Sequence, residues 1–510
     1  MWVLYLVFSI FSVVELILFF TYYSSTYLNV SFFPEKTTSR ILAVTVIFCM
    51  FCLRACYSIF YFLAIPNWTS ETVSILQRAF LYVLAGWWYL VIALPSVFSL
   101  YYILFYEVGD VKEYSCNKDI YKKIVCILPV YNEDFELLRQ GFDSIFLSDY
   151  PSDMLEINIS FDDERVSELY LKTLEYFKIK GIPRDPSYSF IYNTSTVHIH
   201  RFKHGGKKHV QMKSWEFIEN RYYKQNCNFY VLLNDSDNII KPNAFHNFAV
   251  YMDKNPDKIA CCGYMSCLSK SLNIVSMTQD AEYVSCEINR FFEMNLGTVN
   301  CLPGAFTIIR YKYFRQLTKE YFEPFEEQSI THFHQRNLGE DRYMTHLFHK
   351  KFPRNSIGFC PTARCKTDPP NDLGKFIKQR RRWALGSIGN EAYMICTPDI
   401  WKKFPLMMIY KLLQTCWRST TISQSLVATY GIITTINSSQ TGKNIFLISV
   451  LIPICLAWFT SCLYAYKIQH YKVIIIWPFM IMFYTVMYLF VDFYTIWTWR
   501  KKSWGSRQVV

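Results

Sequence analysis

The chain has 510 residues, 52% hydrophobic and 18% aromatic but only 18% charged, whereas an ordinary soluble domain carries about 25% charged residues; this excludes a typical soluble protein and favours a membrane protein with a charged aqueous part. A surplus of 53 basic over 41 acidic residues sets the net charge at +12, which suits anionic lipid or an anionic substrate. Nucleic acid is the rival partner, but the basic residues are scattered and no zinc-finger or RNA-binding signature occurs, so none is expected.

Three apolar runs open the chain, at residues 3–22, 41–64 and 80–105. Each is long enough to cross a hydrocarbon layer of about 30 Å. The first has no basic leader and no small-residue cleavage site, so it is expected to be a retained span. Arg54, inside the second, is costly at mid-membrane and is expected to face other helices or a polar cavity. Residues 1–109 therefore form a transmembrane region of about three helices.

From 110 to 395 the pattern changes. The short runs KIVCILPV (123–130), EINISF (156–161) and FYVLLN (229–234) alternate with amphipathic, charged stretches. This predicts one α/β domain, a parallel or mixed sheet covered by helices. Residues 400–418 mix Trp, Met and Leu with Lys and Arg and read as an interfacial helix. Apolar runs near 420–437, 443–466 and 473–498 predict two or three more spans, so 396–499 is a second membrane region and 500–510 a tail.

With the α/β domain in the cytoplasm, Lys36 and Arg40 fall inside, as the positive-inside rule asks. The sequons at Asn67 and Asn437 would then be outside, and those at Asn29 and Asn193 inside and unused. Three late spans would carry the WRKKSWGSRQVV tail outside, against its four basic residues. An inside tail is expected, with one late run interfacial or re-entrant. The 17 cysteines lie largely in apolar runs without repeated metal-ligand spacing, so they read as reduced thiols behaving as small hydrophobes.

Four stretches of the α/β domain carry chemistry. LPVYNED (128–134) and SFDDER (160–165) end strands, where ligands of open α/β sheets bind. Asp162 or Asp163 reads either as a turn or N-cap residue or as a carboxylate for a ribose or base. VLLNDSDNIIKPN (231–243) empties a buried-type strand into Asp235-Ser236-Asp237. On an extended segment these two acids point the same way and suit one divalent cation, with a plain Asx-turn as the alternative. LGED (338–341) opens a helix, where Asp341 is at least a dipole-stabilising acid. In KQRRRWALGSIGN (378–390), Gln379, Arg382 and Trp383 share one helical face. Arg382 offers paired donors to a diphosphate and Trp383 an aromatic plane for a sugar. Arg380 and Arg381 project elsewhere and read as surface charge near lipid headgroups.

In this order, SFDDER, DSD, ED and QRRRW resemble the D, DxD, ED and QxxRW signature of family 2 processive inverting glycosyltransferases, over roughly residues 120–390 and the membrane runs around them. CLPGAFTIIR (301–310), LGEDR (338–342), CKTDPP (365–370) and the SWGS containing Trp504 are similar to chitin synthases within that group. Three features depart from the pattern: Ser506 stands for a threonine, Glu164 for a glycine, and ALGSIGN after the tryptophan is atypical. A hyaluronan-type or other β-glycan synthase is the alternative. A lipid-linked transferase and a non-enzymatic membrane scaffold fit fewer of these motifs.

The resemblance implies a multi-pass α-helical membrane protein with an inserted cytoplasmic α/β domain of GT-A type, in the plasma membrane. It implies transfer of GlcNAc from UDP-GlcNAc to a growing β-1,4 chain that leaves through the protein's own channel. Asp341 would be the general base. Asp163, Lys207, Lys208, Asp235 and Arg382 would bind the nucleotide sugar, and Asp235 and Asp237 a Mg2+ or Mn2+ ion. Gln379, Trp383 and Glu340 would form the acceptor site, Leu302, Pro303 and Gly304 a channel gate, and Trp504 a further motif position. Membrane lipids and the nascent polysaccharide are the other implied partners, and a homo-oligomer is compatible.

Overall fold

The computed structural model describes residues 2–29, 36–63, 89–105, 121–223, 228–268, 273–324, 329–419 and 451–502. Its centre is a nine-stranded mixed sheet in the order β3-β4-β2-β1-β5-β8-β7-β9-β6. The strands are β1 (Ile124–Val130), β2 (Leu155–Phe161), β3 (Ser187–Tyr192), β4 (Ser195–Arg201), β5 (Tyr230–Asn234), β6 (Ile239–Ile240), β7 (Ala260–Cys267), β8 (Phe306–Arg310) and β9 (Ile357–Thr367).

β4, β2, β1 and β5 run parallel. β2 and β5 are buried along their whole length, as parallel strands covered on both faces are. Val130 pairs with Phe161 and Ile127 with Leu233. The acids that follow β2 and β5 therefore share one sheet edge. β8 runs antiparallel between β5 and β7, and β7 pairs with β9 in parallel.

Two apolar layers flank the sheet. On one face pack Leu138, Phe142 and Ile145 of α4 (Phe135–Phe146), Leu174 of α5 (Glu168–Tyr176) and Phe245 and Phe248 of α7 (Ala244–Lys254). On the other lie Trp215 and Ile218 of α6 (Lys207–Tyr222), Val284 and Phe291 of α8 (Ile274–Asn295), Phe314 of α9 (Tyr311–Tyr321) and Met344 of α10 (Glu340–Lys351). That second layer continues into Tyr464 of α14 (Ile452–Lys467) and Ile476 and Trp477 of α15 (Lys472–Thr498), so the late apolar helices and the sheet share one core.

A third cluster joins α1 (Trp2–Leu28) and α2 (Lys36–Leu63) to α11 (Leu373–Ile395), which carries QRRRW. Asp372 caps α11, its side chain accepting from the Lys375 amide. Among the described residues, Thr37–Cys56 and Lys472–Trp497 are long and apolar enough to cross a membrane. Of the run expected at 80–105, residues 89–105 form a π-turn, Tyr89–Ala93, and the helix α3, Leu94–Phe105, and 80–88 lie outside the described residues. The run 420–437, part of 443–466 and Trp504 lie outside the described residues.

Arg54 is buried and donates to the Ser419 carbonyl, so it faces protein, as its cost in lipid requires. The single interfacial helix expected at 400–418 is two helices, α12 (Pro398–Lys403) and α13 (Pro405–Ser419). Phe404 leaves helical geometry with φ −131° and ψ 57°, and the proline that follows disfavours the helical region for it.

Candidate active site

Construction of the site begins at the end of β2. Asp162, 3% exposed, accepts the Gly205 amide at 2.8 Å and the Gly206 amide at 3.0 Å, and pairs with His204 Nδ1 at 2.9 Å. Gly206 has φ +83°, a conformation open to glycine at no steric cost. This anchored turn starts α6 at Lys207 and aims that side chain across the sheet edge. Lys207 Nζ lies 2.6 Å from Asp235 Oδ1 and 4.0 Å from Glu340 Oε1.

The expectation for DSD is corrected in one respect. β5 ends at Asn234 and Asp235–Asp237 form a turn, closed by the Asn238 amide donating to the Asp235 carbonyl at 3.3 Å. Asn238 Nδ2 also reaches the Ala305 carbonyl at 2.6 Å, and the Asp235 amide reaches it at 3.2 Å. The turn is thereby tied to the CLPGA loop. Asp237 Oδ2 accepts from Thr367 Oγ1 at 3.4 Å, which brings the CKTDPP segment to the same place.

The CLPG loop lies over LGED. The Cys301 thiol donates to Asp341 Oδ2 at 3.4 Å, and the Leu302 amide donates to Thr345 Oγ1 at 2.9 Å. Thr345 in turn donates to the Asp341 carbonyl at 2.7 Å. Pro303 offers its carbonyl to Thr307 Oγ1 at 2.7 Å. A Cβ placed on Gly304 would stand 3.8 Å from both Asp341 Cβ and Lys207 Nζ, so this loop sits directly between the two. Among the described residues, Lys207, Asp235, Glu340, Asp341 and Gly304 thus converge on one spot.

The electrostatics follow from burial. Desolvation pushes the Glu340 carboxyl up; Lys207 opposes this and Asp341 adds to it. Burial pulls the Lys207 ammonium down, but Asp235 and Glu340 outweigh it and the net movement is upward. The positive charge of Arg382 acts on both groups. Burial, followed by Asp341, drives the Cys301 thiol well up, so it stays a hydrogen-bond donor. Lys208 points away, with Nζ 4.9 Å from the Tyr321 ring centre and 5.4 Å from that of Tyr343. Burial, then Arg336, lowers it to about 7.

Other expected residues fall nearby in different ways. Asp163 is half-buried, with Oδ1 accepting the Arg165 amide at 2.9 Å in a turn, while its neighbour Asp162 makes the buried contacts. Gln379, Arg382 and Trp383 are half-buried on α11. Trp383 meets Tyr283 edge-on at 6.4 Å, and the Arg380 guanidinium lies 4.0 Å from its ring centre.

The reading of Arg380 and Arg381 as surface charge is overturned. They are 1% and 2% exposed. Arg380 pairs with Glu282 on α8 at 2.5 Å. Arg381 donates to the Thr498 carbonyl at 2.6 Å and the Lys501 carbonyl at 2.8 Å, at the C-terminal end of α15. Such an end gathers unsatisfied carbonyls and favours a cation. Cys301, Asn238, Thr345 and Thr367 had no signal of their own in the sequence beyond lying in or near the motif stretches.

Among the described residues no group of three His, Cys, Asp or Glu side chains is arranged to hold a metal ion.

Residues 213–510 match the family model described as chitin synthase. The chain is 30% identical over 500 residues to chitin synthase 7 of Verticillium dahliae, covering 92% of this chain and 69% of that protein. It is 31% identical over 462 residues to chitin synthase VI of Metarhizium acridum, covering 87% of this chain and 71% of that protein. A mannosyltransferase from Pyrobaculum calidifontis, solved with GDP-Man and Mn2+, aligns at 14% identity over 75% of this chain and 98% of its own, with a TM-score of 0.42. That likeness is too loose to bear on the site.

Proposed function

The chain belongs to the chitin synthase family and is a glycosyltransferase; on that premise we propose that the site described above transfers GlcNAc from UDP-GlcNAc to the 4-hydroxyl of a growing β-1,4 chain, with inversion. The observation that carries this is the meeting of Lys207, Asp235, Glu340 and Asp341 under the CLPG loop.

Asp341, not Glu340, is the general base. Glu340 is buried and engaged by Lys207. Asp341 is half-buried, with one oxygen held by the Cys301 thiol and the other by the Arg342 amide at 2.8 Å. A sugar hydroxyl is a poor nucleophile, and a positioned carboxylate removes its proton as the oxygen attacks C1. Lys207 and Arg382 offset the charge that builds on the departing UDP. Asp163 faces the uridine, and Lys208, turned onto Tyr321 and Tyr343, takes no part in nucleotide binding.

Asp235 and Asp237 would hold Mg2+ or Mn2+. Asp235 already accepts a cation, the Lys207 ammonium at 2.6 Å, and hard carboxylate oxygens completed by diphosphate oxygens suit either metal. When bound, the ion neutralises diphosphate charge.

Gln379, Trp383 and Glu340 form the acceptor site, and Leu302, Pro303 and Gly304 the entrance to a channel through which the polymer leaves. The α/β domain is of GT-A type and faces the cytoplasm of a multi-pass protein in the plasma membrane. Two long apolar helices support membrane insertion.

Membranes carrying the protein, given labelled UDP-GlcNAc with and without UDP-GlcA, test the reading. A chitinase-digestible polymer from UDP-GlcNAc alone is expected. A polymer that needs both nucleotides contradicts it.

A further inference from the structure

The ALGSIGN stretch, which no part of the mechanism above uses, packs against the segment that carries Asp341. Before LGED the chain makes a π-turn, His334–Leu338, and leaves helical geometry at Gly339 with φ −129° and ψ 43°. α10 then begins at Glu340. Single π-turns interrupt the regular helical ladder and gather at functional sites.

α11 crosses this break at backbone contact. A Cβ on Gly339 would lie 2.5 Å from Asn390 Nδ2 and 2.7 Å from the Gly386 carbonyl. A Cβ on Gly386 would lie 2.6 Å from the Leu338 carbonyl. Asn390 fills the crossing, 0% exposed. Its amide nitrogen sits 2.9 Å from the Gly339 carbonyl, 2.9 Å from the Gly386 carbonyl and 3.1 Å from the Gln335 carbonyl. Two hydrogens thus serve three acceptors, one in the π-turn, one at the break and one on α11 itself.

Stability alone does not account for an asparagine here. Its own carbonyl oxygen is buried without a donor among the described residues, a penalty that a well-packed apolar side chain avoids. What the amide adds to the Gly339–Gly386 backbone contact is a polar tie between two elements: one helix begins with Glu340 and Asp341, the other carries Gln379, Arg382 and Trp383.

We propose that Asn390 is a positioning residue for glycosyl transfer, pinning the base-bearing turn to the acceptor-bearing helix through the Gln335, Gly339 and Gly386 carbonyls. This rests on Asp341 being the base. Transfer needs the hydroxyl, base and anomeric carbon in near-attack geometry, whereas of the proposed nucleotide contacts Arg382 alone lies on α11, and Asp163, Lys207 and the DSD turn do not need the pin.

The test uses purified full-length protein in detergent. Asn390→Ala is expected to lower kcat for polymer formation by about tenfold or more, since a displacement of about 1 Å costs up to ~100-fold, with the KM for UDP-GlcNAc and the Kd for UDP within about twofold. A kcat retained within about threefold overturns the proposal, as does a loss of UDP affinity equal to the loss of kcat. Should the alanine variant fail to accumulate, Asn390→Ser, which keeps one short donor, is read by the same constants. Asp341→Asn is assayed beside it. If that variant stays active, the base assignment fails; if it is dead while Asn390→Ala keeps its kcat, the pin alone fails.

Discussion

The Cys301 thiol donates to Asp341, Sγ to Oδ2, at 3.4 Å. Because the adjacent Leu302 amide bonds Thr345 on the same helix as Asp341, the CLPG loop and the proposed base are held together. The position of the loop and the orientation of the carboxylate are thereby coupled. Cys301→Ala removes the donor and should lower kcat about three- to tenfold, the worth of one modest hydrogen bond, with UDP affinity unchanged. Cys301→Ser keeps a donor and should recover most of the rate. Equal rates for all three proteins would show that the contact orients nothing.

Arg380 and Arg381 tie the QRRRW helix to its neighbours. Arg380→Met leaves Glu282 without its guanidinium, and breaking a buried pair costs about 3–5 kcal/mol, partly relieved here by the Tyr484 and Tyr488 hydroxyls that also reach Glu282. A clear fall in melting temperature is expected. Arg381→Lys should not substitute, because an ammonium lacks the planar fork that reaches Thr498 and Lys501 together. Faster tryptic cleavage at Lys501 is the readout, and an unchanged rate removes the clamp.

The α/β domain should be acid-sensitive for a stated reason. Burial, helped by His198, lowers His200 from 6.5 to about 3. It is neutral in the fold, while the unfolded chain takes up a proton below about 6.5. Its contribution is present above that value and lost as pH falls from about 6.5 towards 3, at up to about 1.4 kcal/mol per pH unit. His200→Asn should flatten that limb of melting temperature against pH. An unchanged slope would show that His200 does not carry it.

Trp383 meets Tyr283 edge-on and is proposed to bind the acceptor. Trp383→Ala should leave UDP binding intact and shorten or abolish polymer. Weaker UDP binding with normal elongation would move this ring out of the acceptor site.

How much was legible in the sequence differs residue by residue. β1 and β5 announce themselves as short apolar runs leading into acids, whereas β2, LEINISF, alternates apolar and polar residues although it is buried throughout. The QRRRW motif was legible, but two of its arginines were misread. Their partners, Glu282 and Thr498, lie about a hundred residues away, and local charge looks the same whether solvated or paired across a fold. Asp235 and Asp237 were placed on an extended segment; the carbonyl of Ala305, remote in sequence, is what holds the turn. Lys207 and Lys208 are one residue apart on a helix, so only the starting angle of α6, set by Asp162 and Gly206, separates the one facing Asp235 from the one facing Tyr321. The glycines of ALGSIGN had no meaning until Gly339 was seen against Gly386.

The most direct test of the central claim is to measure polymer synthesis and UDP affinity on purified Asp341→Asn. Loss of the proposed base should lower synthesis by about 100-fold or more, with the Kd for UDP unchanged. Near-normal polymer output, or synthesis and UDP binding lost together, would contradict the account.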